Sequence, residues 1–255
     1  MFEKKYIHGL GINCSDYQTA LLETQKLLLD GHHHYICFIE ANLFNLSRKM
    51  PALREVLNNA DLAYPDGIVI QKILKYRCNV STERVSGPTF MLEAAQYGIQ
   101  HHWRHFFYGG ANGVADELAQ KLQKKYPGIE IAGTYSPPFR PLTEEEMVTV
   151  KQRIESARTD LLWVGLGGGK QDYWMHQNLG KINVPVMLGV GAAFDFHSGN
   201  RPWAPEFIRV IGFEWLFRLF SGGRITALRN IRCVSGVSFV LAQDFLYYCF
   251  GRWSK

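Results

Sequence analysis

The stretch Leu161-Leu162-Trp163-Val164-Gly165-Leu166, running into Gly167-Gly168-Gly169 and then Lys170-Gln171, decides the fold class. An apolar run this short, closed by a glycine turn, reads as a strand covered on both faces rather than as a helix. The turn hands over to a polar segment that opens a helix. Working outward, the same arrangement recurs. Apolar runs at 35–39, 62–64, 105–108 and 186–190 end in Glu40-Ala41-Asn42, Pro65-Asp66-Gly67, Gly109-Gly110 and Gly191, and a further strand is predicted over 129–134. Between them, helical periodicity predicts helices over 20–29, 51–59, 90–97 and 113–125, the last stopping at Pro127-Gly128. A helix over 143–157 opens with Thr143 and Glu146 in capping-box spacing. Strands that close in glycine turns and alternate with helices predict an α/β fold: a Rossmann-like parallel sheet flanked by helices, occupying residues 1–202. Such sheets bind ligands beyond the carboxyl ends of their strands. Asn42, Asp66, Gly110, Lys170, Gln171 and Asp195 all fall at or just after such ends, so one cleft is expected to gather them.

The bulk properties agree with one folded α/β domain plus a short appendage. The chain has 255 residues, 47% of them hydrophobic and 20% charged, a composition with no sign of disorder. A net charge of +5 suits anionic partners without choosing among phosphates, nucleic acid and a lipid surface. Five widely spaced cysteines form no C-x-x-C pair, which argues against a zinc site or disulfide framework and for a reducing compartment. The opening residues carry no apolar run of signal-peptide length, and no stretch of about 18 apolar residues marks a membrane span. A cytoplasmic protein is expected.

From residue 203 the character changes. The segment 208–219 is an aromatic-rich helix by pattern, and Arg218, Arg224, Arg229 and Arg232 follow closely. The tail 237–250 is strongly apolar, with Tyr247, Tyr248, Trp253, Arg252 and Lys255 near its end. Too short to span a bilayer comfortably, it reads as a helix lying in a membrane interface or packing on a partner, with a core helix as the alternative.

Several residues bear chemistry. Asp66 leaves a carboxylate at a strand end, where it would serve as a general base or, more blandly, as a helix cap or turn residue. The glycine turns would free backbone N–H groups at helix N-termini for a diphosphate. Neither a P-loop nor a dinucleotide fingerprint is present, so ATP hydrolysis and hydride transfer lose ground. Arg84 would clamp a phosphate or carboxylate, or form a surface ion pair. The run His32-His33-His34 is a poor metal site, since successive side chains on an extended segment point to opposite faces. Spacing alone stops at an α/β enzyme for a nucleotide or phosphorylated ligand.

The order of the blocks resembles the WecG/TagA/CpsF glycosyltransferases, glycosyltransferase family 26. The blocks are Gly11-Ile12-Asn13, Glu40-Ala41-Asn42, Ala60-Asp61-Leu62 with Pro65-Asp66-Gly67, Glu83-Arg84-Val85-Ser86-Gly87 and Phe107-Tyr108-Gly109-Gly110. They continue through Tyr126-Pro127-Gly128, Gly165-Leu166-Gly167 with Lys170-Gln171, Gly189-Val190-Gly191 with Phe194-Asp195, Ser198-Gly199, Arg201, Ala204-Pro205 and Gly212-Phe213-Glu214-Trp215-Leu216-Phe217-Arg218-Leu219. The resemblance implies an inverting, metal-independent transferase that needs no cofactor. Its donor would be a UDP-sugar, often UDP-N-acetylmannosamine or its uronic acid. Its acceptor would be an undecaprenyl-diphosphate-linked saccharide of teichoic acid, common antigen or exopolysaccharide assembly.

By that resemblance Asp66 is the base. Asn42 and Arg84 would contact sugar or phosphate, Gln171 would lie in the donor pocket and Asp195 shape the same cleft, with Gly110 and Lys170 as further substrate-binding residues. Arg218 and Arg224 belong to a C-terminal appendage, residues 203–255, that reaches toward the diphosphate and docks on the inner face of the cytoplasmic membrane. Members self-associate, and an apolar tail would serve that as readily as lipid binding; nucleic acid is not an expected partner.

The chain departs from the family pattern in three places. Gly169-Lys170-Gln171-Asp172 stands for the usual Pro-Lys-Gln-Glu, Gly222-Gly223 for the Glu-Pro between the appendage arginines, and Glu40-Ala41-Asn42 for Thr/Asn-Pro-Asn. The donor therefore stays open between N-acetylmannosamine, its uronic acid and a hexose such as glucose. A non-catalytic nucleotide-binding scaffold and a sugar-nucleotide oxidoreductase are the competing classes; the retained Asp66 counts against the first and the missing glycine fingerprint against the second.

Overall fold

The computed structural model describes residues 2–211, 214, 217 and 238–249. It opens with an antiparallel hairpin of β1 (Lys5–Ile7) and β2 (Leu10–Ile12). Its loop is His8-Gly9, both at positive φ (47° and 81°), the two-residue geometry whose twist matches paired strands. Sequence reading missed this hairpin because its strands are three residues long and His-Gly is a weak turn signal.

The main sheet is organised on β3 (His34–Ile39). Tyr35, Cys37 and Ile39 enter one buried cluster while Ile36 and Phe38 enter the other, so the strand is apolar on both faces and needs cover on both. Its companions are β4 (Leu62–Pro65), β5 (Arg104–Gly109), β6 (Glu130–Tyr135), β7 (Leu161–Gly165) and β8 (Val186–Gly189). All pairings are parallel, in the spatial order β4-β3-β8-β7-β5-β6. The expected Rossmann-like sheet is present, and each predicted strand lies within a residue or two of its observed place.

Helices cover both faces. On one face, buried residues of α2 (Ala41–Lys49), α3 (Pro51–Asn58), α4 (Ile68–Cys78), α7 (Glu144–Ser156) and α8 (Lys170–Asn178) pack with the hairpin. On the other lie α1 (Tyr17–Leu29), α5 (Gly87–Tyr97), α6 (Val114–Lys125) and α9 (Ala193–Ser198). Local chemistry sets several starts. Asp16 accepts from Thr19 N at 2.7 Å to cap α1, and Thr143 and Glu146 form the predicted reciprocal box on α7 at 3.2 and 2.8 Å. The chain leaves β3 and β7 toward one face and β5 and β8 toward the other. Neighbouring strands that diverge in this way open crevices at their carboxyl ends.

Beyond the sheet come α10 (Glu206–Ile211) and helical residues at 214, 217 and 238–249. The last helix docks on the domain: Val240 and Asp244 are fully buried, and Asp244 holds His8 Nε2 at 3.0 Å and Arg77 Nη1 at 3.1 Å. Phe239, Phe245, Leu246 and Tyr247 stay exposed on it. It is thus a helix packed on the domain, with Phe245 against Tyr76 and Tyr247 under Arg77, that leaves much of its apolar surface exposed. Arg218 and Arg224, with Arg229 and Arg232, lie outside the described residues. Among the described residues no helix is long and apolar enough to cross a membrane.

Candidate active site

Asp66 follows the last residue of β4, and its backbone N–H donates to Ile39 O at 3.0 Å, so it stands beside the end of β3. The cap position of α4 is Gly67, and no side chain caps that helix. Asp66 is therefore not spent as a helix cap, the bland reading of its position. Its side chain is 19% exposed.

Arg84 comes to the same place from the segment between α4 and α5. That segment is pinned along its length: Glu83 N donates to Ser15 O at 3.1 Å, Val85 N to Pro65 O at 3.0 Å, and Ser86 N to Tyr17 Oη at 3.0 Å. The guanidinium then makes three directed contacts. Nε donates to Asp66 O at 2.9 Å, Nη1 to Arg209 O at 3.1 Å, and Nη2 to Glu214 Oε2 at 2.8 Å; Asp66 Oδ1 is 3.6 Å from Nη2. Burial works against the Arg84 charge, but the Asp66 and Glu214 carboxylates outweigh it and hold its pKa above the ordinary value. Arg84 is not a surface ion pair. It ties the end of β4 to the C-terminal segment.

The end of β3 supplies Glu40 and Asn42, both half-buried, with Asn42 inside the first turn of α2. A Cβ on Gly67 would lie 3.9 Å from Ala41 N, which fixes how closely the β3 and β4 ends approach. Across the cleft, a Cβ on Gly168 would lie 3.7 Å from Glu40 Oε1. The triple-glycine turn itself is braced from below. Gly169, at φ +83°, donates its N–H to Asp172 Oδ2 at 2.8 Å, and Asp172 is fully buried. Burial raises the Asp172 carboxyl above its usual range, and the Glu40 charge pushes the same way against hydrogen bonds from the Cys37 thiol and Gly169. The Cys37 thiol is likewise pushed up, first by burial and then by Asp172.

Gln171 is 4% exposed, and its Oε1 accepts from Gly191 N at 2.9 Å, so it braces the turn after β8. Lys170 is exposed at the mouth of the same turn. Gly109 shows why its strand must end in glycine: a Cβ there would sit 2.5 Å from Gly165 O, on the neighbouring strand. Gly110 continues the turn by donating to Gly165 O at 3.1 Å. Asp195, in α9, pairs with Arg201 Nε at 3.3 Å. Asp66 and Arg84 are thus in contact with each other. Asn42, Gly110, Lys170, Gln171 and Asp195 line the same carboxyl edge at other strands, while Arg218 and Arg224 lie outside the described residues.

The sequence reading assigned no role to Glu214 or Arg209, nor to Asp172 beneath the glycine turn. Glu214 stood in plain view inside a quoted block, but nothing local announces a contact with a residue 130 positions earlier. The three histidines part company. His33 Nδ1 meets Val184 O at 3.1 Å, and His34 sits between Asp30 and Asp61 at 2.8 and 2.9 Å. Among the described residues no group of three or more His, Cys, Asp or Glu side chains is placed to hold a metal ion.

Comparison with known proteins bears on this edge. The protein is 31% identical over 171 residues to the N-acetylglucosaminyldiphosphoundecaprenol N-acetyl-beta-D-mannosaminyltransferase of Bacillus spizizenii strain W23, covering 67% of this chain and 65% of that relative. It is 28% identical over 198 residues to the transferase of the same name from Staphylococcus aureus strain MRSA252, covering 77% of this chain and 76% of the relative. The Staphylococcus aureus strain NCTC 8325 protein, also so named, is 27% identical over the same shares. The family model for glycosyl transferases of the WecG/TagA/CpsF type matches residues 5–242, a span that takes in the whole sheet, the Asp66–Arg84–Glu214 contact and the start of the helix at 238–249. The chain belongs to the WecG/TagA/CpsF family of glycosyl transferases.

Proposed function

We propose that this protein transfers a sugar from a UDP-sugar, with inversion and without a metal, to an undecaprenyl-diphosphate-linked saccharide during assembly of a cell-surface polysaccharide. The observation that carries the reading is the half-buried Asp66 carboxylate at a strand end, not used as a cap, in a chain of this family. In the reaction the acceptor hydroxyl oxygen attacks the anomeric carbon from the face opposite UDP. Asp66 takes the hydroxyl proton as the new bond forms, and UDP departs with the electron pair of the broken bond. The charge that builds on UDP is met by backbone N–H groups of the glycine turns and by Arg218 and Arg224 of the appendage, residues 203–255. Asn42 contacts the sugar, Gln171 and Asp195 shape the donor cleft, and Lys170 guards its mouth.

The Glu40 carboxylate beside Gly168 bears on the donor. A second negative charge on the sugar would be repelled there, which favours a neutral sugar, N-acetylmannosamine or a hexose such as glucose, over a uronic acid. The names of the relatives point to an N-acetylmannosaminyl donor group and a lipid-linked N-acetylglucosamine acceptor. The exposed apolar surface of the helix at 238–249 supports peripheral docking on the inner face of the cytoplasmic membrane, or association with a second copy.

The test is UDP release from a panel of UDP-sugars in chelator, with and without a polyprenyl-diphosphate saccharide. Acceptor-dependent release from one donor is expected. UDP binding without release from any donor, even with an authentic acceptor, would instead indicate a non-catalytic scaffold.

A further inference from the structure

Arg84 is shared between two carboxylates, and the sharing is unequal. Its Nη2 lies 2.8 Å from Glu214 Oε2 but 3.6 Å from Asp66 Oδ1. From this nitrogen Glu214 takes the full hydrogen bond, and Asp66 stands at the longer ion-pair distance. The guanidinium is held in this pose from two further directions, by the Asp66 and Arg209 backbone carbonyls at 2.9 and 3.1 Å. The three side chains are largely shielded, at 20% exposure for Arg84, 19% for Asp66 and 12% for Glu214. In so sheltered a place a guanidinium that swung fully onto Asp66 would weaken it as a base, because a closely paired carboxylate loses proton affinity.

We propose that Glu214 is a positioning residue of the transfer reaction: it draws Arg84 away from Asp66 and so preserves the basicity of the carboxylate that receives the acceptor's proton. The inference rests on Asp66 as the base. Glu214 touches no reacting atom and exchanges no proton; it acts through Arg84. Because Glu214 and the Arg209 carbonyl both belong to the C-terminal segment, docking of that segment on Arg84 sets the strength of the base.

Of the other titratable groups, Tyr17 on α1 acts on Arg84, Glu83 adjoins it in the chain, and Glu40 follows the end of β3, the strand beside β4. Arg209 contributes its carbonyl, while its guanidinium lies 3.7 Å over the Trp203 ring. All of these persist when Glu214 alone is changed, so a difference between variants reports on Glu214.

The experiment is kcat against pH for the wild-type chain, Glu214→Gln and Glu214→Asp, with one UDP-sugar and one lipid-linked acceptor, alongside UDP affinity. With Glu214→Gln, Arg84 closes on Asp66. The acid limb, where Asp66 gains a proton and activity falls, is then expected to move to lower pH by about one unit. The plateau should fall about tenfold, since a weaker base takes the proton less readily, while UDP affinity holds. Glu214→Asp keeps the charge on a shorter arm, and its limb should lie between the other two. A Glu214→Gln limb that coincides with wild type overturns the proposal whatever the rate, because a merely structural role slows the enzyme without moving the limb. Should that variant fail to fold, a Glu214→Asp limb on top of wild type overturns it instead. Wild-type turnover in Asp66→Asn would overturn the base assignment itself, and this is distinguishable from coincident limbs in a chain whose Asp66→Asn variant is inactive.

Discussion

Replacing Arg84 by lysine keeps a positive charge beside Asp66 but removes the planar fork that reaches three places at once. The native guanidinium donates to Asp66 O, Arg209 O and Glu214 Oε2 at 2.9, 3.1 and 2.8 Å. A lysine ammonium, a single point one bond short of the guanidinium nitrogens, satisfies one of these directions, most favourably the Glu214 carboxylate, and leaves both carbonyls. Each charge-assisted bond contributes about 1.5–3 kcal/mol, so two losses sum to roughly 3–6 kcal/mol. With the Arg84 side chain 20% exposed, water recovers part of this, and the lower end, about 3 kcal/mol, is the expected cost. Of the two lost bonds only the one to Arg209 O ties the C-terminal segment, so about half of the cost, roughly 1.5 kcal/mol, falls on its docking. At about 1.4 kcal/mol per factor of ten, amide hydrogen exchange over 206–211 should quicken roughly tenfold. Exchange in β3 and β7, at the centre of the sheet, should change far less. Native-state exchange read peptide by peptide is the assay. Exchange over 206–211 within about threefold of wild type would show that Arg84 does not hold this segment, and the reasoning from its three bonds would fail.

Asp66→Asn should lower transfer by about 10²–10⁴-fold with UDP affinity nearly unchanged, because a base acts in the chemical step; tight UDP binding lost together with turnover would argue for a structural role. On the helix at 238–249, Phe239 and Leu246 lie seven residues apart on one face and are 64% and 51% exposed. Phe239→Ser with Leu246→Ser should cut co-sedimentation with anionic vesicles about tenfold or more at little cost in stability. Equal co-sedimentation would remove the membrane role from that face.

His34 gives a prediction of opposite kind, about stability. Burial works against its charge, but Asp30 and Asp61 overcome it and raise the imidazole pKa above the ordinary 6.5. The Asp61 contact, at 2.9 Å from Nδ1, is a close ion pair without hydrogen-bond alignment. A raised folded pKa means the stabilisation is complete below pH 6.5 and is lost as pH climbs through the folded value. Urea unfolding should therefore show stability falling over that rise in the wild type and not in His34→Gln; parallel profiles would contradict it.

Periodicity and punctuation carried the local part of this protein. The apolar runs in Leu161–Gly165 and His34–Ile39 and the box of Thr143 with Glu146 are features of near neighbours, and near neighbours leave a pattern in the chain. From such patterns came the strands, most of the helices, the parallel α/β class and the carboxyl edge on which the candidate residues sit. The β1–β2 hairpin and α2 escaped because they are short, and the eleven-residue α4 because it opens on an unbroken apolar run, Ile68-Val69-Ile70, that blurs its helical period.

What only the tertiary structure decided is the neighbourhood of those residues. Nothing in the order of the strands along the chain says that β8 inserts between β3 and β7, yet that insertion sets Gly191 against Gln171 and Val190 against Gly87. Asp66 was legible as a carboxylate at a strand end, but its partner's second partner was not. Arg84 meets Glu214 across 130 residues because two separate segments pack against the end of β4, and a contact made by packing rather than by chain proximity imposes no spacing that a sequence can display.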